Sequence, residues 1–266
     1  MTDRNFYWRH LRLPLILFAL LAPLLATSSV DLVVARAFFF DGSRWIGADS
    51  WWTNQLIHHD GALLIRSVAA ATLILWASTW WRPQWRELRR PALYFFLALG
   101  LSIGMVGLLK ALTNVACPRD LSEFGGAFPY FHLFAPRPEG LRNARCFPAA
   151  HASSGYALLA LYFALRERSR WASRLGLATG LVMGLIFGIA QQARGAHFVS
   201  HDVWSVWLVW TISLSLYTFA FKARLWRSTS VHGSRREKNE ASAAARGLSV
   251  DGDADLPRRL GSVPGT

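Results

Sequence analysis

Six apolar runs, nearly free of charge, constrain this chain more than any other feature. Leu13–Val30, Pro91–Leu109, Cys146–Leu165, Leu175–Ala193 and Val203–Phe221 hold no Asp, Glu, Lys or Arg, and Gly61–Trp81 holds only Arg66. Each is close to the roughly 20 residues a helix needs to cross a hydrocarbon core. Lipid offers the backbone no hydrogen-bond partners, so a run of this kind is expected to be helical. The expected fold is therefore all-α: a polytopic membrane helix bundle with six transmembrane helices.

Basic residues in the short connections set the orientation. Arg4, Arg9 and Arg12 precede the first run, and Arg82, Arg86, Arg89 and Arg90 follow the second. Arg166, Arg168, Arg170 and Arg174 follow the fourth, and Lys222, Arg224 and Arg227 follow the sixth. With six spans these all share one face, which makes both termini cytoplasmic. Trp51, Trp52, Trp80 and Trp81 sit where amphipathic rings favour the interface. Leu13–Ser28 also fits a signal peptide, whose removal leaves the remaining topology unchanged. Residues 1–227 form the expected membrane domain. Residues 228–266, rich in Ser, Ala, Gly and charge, form an expected disordered cytoplasmic tail. The net charge of +13 is spread along membrane edges and this tail, which argues against a nucleic-acid partner.

Three polar clusters lie at the other ends of the runs: Lys110–Asp120, Cys146–Ser153 and Arg194–Asp202. Ionisable groups beside a bilayer core are costly there, so a functional reading is the default. Lys110 alone is a snorkelling lysine, but Arg119 close behind makes an anion clamp. The outer loop adds Arg137, Arg142 and Arg145 against the charge rule, which again favours anion binding. Small residues at Ala149 and Ala150 leave backbone N–H groups open at a helix start, where a phosphate is favoured, and His151 stands in the same turn. Arg194, His197 and His201 share one face if the segment is helical. The His–x3–His spacing also suits zinc, but no Glu lies between the two and an arginine is adjacent. Cys117 and Cys146 are either a disulfide or two free thiols.

In order and spacing, these clusters resemble the type-2 phosphatidic acid phosphatase superfamily, which includes lipid phosphatases and vanadium haloperoxidases. The family pattern is Lys-x6-Arg-Pro, Pro-Ser-Gly-His and Ser-Arg-x5-His-x3-Asp. Lys110, Pro118, Pro148, His151 and His197 match it, over roughly Gly107–Trp204. Cys117 stands at the first arginine, with Arg119 two residues on. Ala149-Ala150 replaces Ser-Gly, Gln191 stands at the second arginine, and His201 stands at the aspartate with Asp202 next to it.

The resemblance implies a metal-independent hydrolase of lipid phosphates, with no cofactor. His197 is the implied nucleophile and His151 the implied acid and base. His201 or Asp202 orients His197, and Lys110, Arg119, Arg194 and the backbone at Ala150 bind the phosphate. It implies a bacterial inner-membrane protein with its site facing the periplasm. Lipid A phosphates, undecaprenyl diphosphate, phosphatidic acid and phosphatidylglycerol phosphate are the implied substrate range. A phosphotransferase between envelope lipids and an inactive lipid-binding protein are the alternatives.

Overall fold

Apolar sequence becomes helix along most of the described chain in a computed structural model that describes residues 3–133, 135 and 144–222. Arg137, Arg142, Arg224, Arg227 and the tail from 228 lie outside the described residues. Nine α-helices are described: α1 (Asp3–Tyr7), α2 (Leu13–Thr27), α3 (Val30–Val34), α4 (Gly61–Ser78), α5 (Arg89–Leu112), α6 (Ala150–Tyr156), α7 (Ala160–Ala164), α8 (Arg170–Ala193) and α9 (Val199–Tyr217). Wider π-type turns lead into α2 and α4, and 3-10 turns lead into α5 and join α6 to α7. The chain divides into Met1–Phe219 and Ala220–Thr266. Of the second unit only Ala220–Lys222 is described.

Among the described residues five helical stretches, not six, are long and apolar enough to cross a membrane: Asn5–Thr27, Trp52–Ser78, Pro83–Leu112, Arg170–Ala193 and Val199–Phe221. The run Cys146–Leu165 is the exception. Its helix starts only at Ala150, tightens into a 3-10 turn over Ala157–Leu159 and stops at Ala164. Its surroundings explain the misreading. Ala152, Ala157, Ala160 and Phe163 have no exposed surface, so this segment is wrapped by protein on all sides. A helix that is apolar all round marks burial, whether in lipid or in a protein core. Composition alone therefore could not separate the two. The even number of spans falls with that run, although Phe6 packs against Tyr217, ring centroids 5.7 Å apart, so α1 and the end of α9 meet at one end of the bundle.

Glycines on α8 make that wrapping possible. Gly176, Gly180 and Gly184 recur every four residues, and a Cβ at each would strike Leu161, Leu159 and Tyr156 within 2.7 Å. Small residues on one face allow this close approach of backbones. Ser169 caps the start of α8 by accepting from the Ala172 N–H at 3.2 Å, an arrangement worth about 1 kcal/mol. At the far end, Ala35, Trp45, Leu121, Phe124 and Phe198 pack as a small apolar cap.

Candidate active site

The cap and two short backbone links bring the three clusters to one end of the bundle. After α5, Asn114 turns the chain with φ 49°. The stretch that follows is tied to the segment before α6, with Cys146 N–H donating to the Val115 carbonyl at 3.0 Å. Cys117 and Cys146 are joined there, their Cα atoms 5.1 Å apart. Closing a loop of this length stabilises a fold by about 3–4 kcal/mol in the chain-entropy account. The turn between α8 and α9 is held from the same side. Arg119 N–H donates to the Gly195 carbonyl at 2.9 Å. Gly195 has φ 64°, and a Cβ there would lie 2.4 Å from the Trp45 ring, so only glycine fits.

These links surround a cleft of about 510 Å³. Lys110, Arg119, Ala150, His151, Arg194 and His197 all line it. His201 and Asp202 do not. His201 lies behind His197, with the two Nδ1 atoms 3.2 Å apart. Asp202 turns the other way. It accepts from Gln192 Nε2 at 2.6 Å and lies against Gly188, where a Cβ would be 2.3 Å from its Oδ2. Asp202 therefore docks α9 onto α8 and makes no contact with the imidazole of His197. Of the two candidates for orienting that ring, His201 is the one in reach.

The local sequence explains this split. Helix α9 begins at Val199, so His197 precedes it on extended chain while His201 occupies its first turn. The Asp31 carboxylate from α3 accepts from the Ser200 N–H at 3.0 Å and from the Ser200 hydroxyl, fixing that turn. His197 is 4% exposed. Burial, then the neighbouring His201 and Lys110, hold its pKa well below the usual histidine range. Burial lowers Arg194 too, with Arg119 adding to the effect.

The same cleft holds two residues that motif spacing did not single out, His58 and Arg66, together with Arg145 and Gln191. Arg66 was visible as the lone charge in an apolar run, and that was its signal. His58 carried none, because it belongs to a polar stretch, Trp52–Asp60, far from the three clusters. His151 is held in place by that stretch. Its Nε2 donates to the Ile57 carbonyl at 2.9 Å, and its ring stacks on Phe187 at 4.5 Å. Gly61 permits the stack, since a Cβ there would meet the Phe187 ring at 2.8 Å.

Among the described residues no Asp or Glu lines the cleft, and the nearest carboxylate to its cations is Asp120, 3.9 Å from Arg119, so positive charge predominates in its walls. Such a pocket is suited to a multiply charged anion, and two imidazoles in it are suited to moving protons or attacking phosphorus. Among the described residues, no three His, Cys, Asp or Glu side chains are grouped as a metal site. Comparison with curated proteins and with solved structures finds no match. Residues 91–225, just over half the chain and spanning all three clusters, match the PAP2 superfamily, the type-2 phosphatidic acid phosphatases, and the chain belongs to that superfamily.

Proposed function

We propose that this protein is an integral-membrane lipid phosphatase that cleaves a phosphomonoester or diphosphate through a phosphohistidine. The carrying observation is the cleft in which Lys110, Arg119 and Arg194 surround His151 and His197, with no carboxylate among its described lining residues. The cations, with the backbone at Ala150, hold the non-bridging oxygens and stabilise the charge that builds on them in the transition state. Nδ1 of His197 faces His201, which leaves Nε2 to attack phosphorus. The new N–P bond forms as the bond from phosphorus to the lipid oxygen breaks, and His151 supplies the proton that oxygen takes up. His151 then removes a proton from water as it attacks the phosphohistidine, releasing phosphate and the free His197.

Five long apolar helices are consistent with a multi-pass membrane protein. The arginines flanking the opposite ends of the bundle support a bacterial inner membrane with the cleft facing the periplasm. The lipid A phosphates and undecaprenyl diphosphate suit such an envelope setting, and phosphatidic acid and phosphatidylglycerol phosphate complete the candidate panel. A second reading, a lipid-phosphate binder without turnover, draws support from the histidine that stands where a carboxylate would orient the nucleophile.

One assay separates these. Phosphate release from that panel is measured in detergent for wild type and His197→Ala, with and without excess chelator. A phosphatase loses release on the order of 10³-fold or more with the substitution and is indifferent to chelator. Release abolished by chelator overturns the metal-free mechanism, and absence of release from wild type on every lipid overturns the phosphatase reading.

A further inference from the structure

His58 enters the cleft from the stretch Trp52–Asp60, outside the residues that match the superfamily. Its hydrogen-bond partner fixes which of its nitrogens carries the proton. Arg194 Nη1 donates to Gln191 Oε1 at 3.2 Å. A guanidinium has no acceptor, so that oxygen assignment is forced, and the other end of the amide must be NH2. Gln191 Nε2 lies 3.0 Å from His58 Nδ1. The amide therefore donates, Nδ1 accepts, and the proton of a neutral His58 sits on Nε2. The His58 ring lies 4.7 Å from that of His151, centroid to centroid, so the two imidazoles are neighbours in the cleft. The two rings are complementary. His151 gives its Nε2–H to the Ile57 carbonyl, whereas the Nε2–H of His58 has no partner among the described residues.

Gln191 stands where the family pattern has arginine. An arginine there would carry its own charge to the phosphate. In its place the glutamine ties Arg194 to His58 and turns a neutral imidazole into a donor.

We infer that His58 is a further phosphate-binding residue, donating Nε2–H to a phosphoryl oxygen while Gln191 holds it in that tautomer. This rests on the anion-binding reading of the cleft. A neutral imidazole can polarise oxygen without giving up its proton, so His58 stabilises charge and His151 keeps the proton transfer. Nothing is consumed: the hydrogen bond forms on binding and is released with the product.

The test uses the full chain in detergent, with its histidines labelled with 15N, and inorganic phosphate as the probe. Wild type is expected to show His58 with a protonated Nε2 and a bare Nδ1, the Nε2 signal shifting as phosphate is added. His58→Phe is expected to weaken phosphate binding about tenfold or more, the usual scale for a hydrogen bond to a charged group. His58→Gln, whose amide reaches about as far as Nε2, is expected to recover part of it. Gln191→Glu keeps an acceptor for Arg194 but has no donor for Nδ1. It is expected to move the His58 proton to Nδ1 and to weaken phosphate binding although the ring remains.

A bare Nε2 in the wild-type spectrum would overturn the inference without any variant having to fold. So would phosphate binding and lipid phosphate release by His58→Phe at wild-type levels. If wild type binds phosphate through His58 yet releases none from any lipid, the phosphatase reading fails and the His58 assignment stands.

Discussion

The two ends of the bundle use similar residues to opposite ends. Helix α9 runs from Val199 at the cleft to Tyr217, so the ends are roughly 27 Å apart at 1.5 Å per residue. At the Tyr217 end His10, Tyr162, Arg166, Glu167 and Tyr217 close on one another or on backbone. His10 Nδ1 bonds the Phe6 carbonyl at 2.7 Å, and its Nε2 lies 2.6 Å from the Tyr162 hydroxyl. Arg166 donates to the same hydroxyl at 2.6 Å, and its guanidinium lies over the Phe6 ring. Tyr217 donates to Glu167, and Trp210 donates to the His10 carbonyl. At the cleft end the cations converge without a carboxylate among the lining residues. Histidine, arginine and tyrosine near a bilayer are thus no signature of function by themselves. What distinguishes a site is hydrogen-bonding capacity left open towards a cavity.

The comparison breaks if the cleft end turns out to hold the fold together. Lys110→Met is expected to lower kcat/KM for lipid phosphate by about 10²–10³-fold, the scale for losing one preorganised electrostatic contact. The unfolding temperature should stay near wild type or rise, because a cation gathered with others is removed. A large fall in stability with normal turnover would reverse the assignment of the two ends.

Cys146→Ser sharpens it, because the disulfide tethers both cationic stretches of the cleft. Loss of about 3–4 kcal/mol of stability is expected, read as a lower unfolding temperature than oxidised wild type, with reductant bringing wild type to the same value. Turnover should fall as well, since Arg119 and Arg145 flank the bonded pair. Equal unfolding temperatures with and without reductant would remove the disulfide from the account.

Tyr162→Phe is the counterpart at the closed end. Both His10 and Arg166 lose a partner, so a cost of about 1–3 kcal/mol is expected, with kcat/KM unchanged. Altered turnover at unaltered stability would mean that the two ends are coupled.

The smallest effect is in pH. His197 is held well below the ordinary value of 6.5, so below about pH 6.5 the unfolded chain binds a proton that the folded one refuses. This burdens the fold only in acid: stability is full above that pH and declines as pH drops beneath it, while His197 stays neutral and nucleophilic through neutrality. In His197→Phe the decline in unfolding temperature between pH 7 and 5 should be shallower. An identical slope would place the linkage elsewhere.

Much of this was legible from spacing. Lys110, His151, Arg194 and His197 carry residue types that are costly beside a membrane, and the cleft contains all four. The fourth apolar run was misread because exclusion of charge reports distance from water and says nothing about what replaces it. His58 was missed because its role depends on Gln191 and Arg194, which are distant in sequence and have no fixed spacing to it.

The helical character of the chain and its membrane-suited length followed from sequence alone, since every buried backbone group needs an internal partner and only a helix supplies one locally. Which apolar helix would lie inside the bundle was decided by the glycine face of α8, a property of two surfaces meeting. So was the choice of His201 over Asp202 beside His197. Adjacent positions on a helix point about 100° apart, and only the packing of α9 against α8 determines which one turns toward His197.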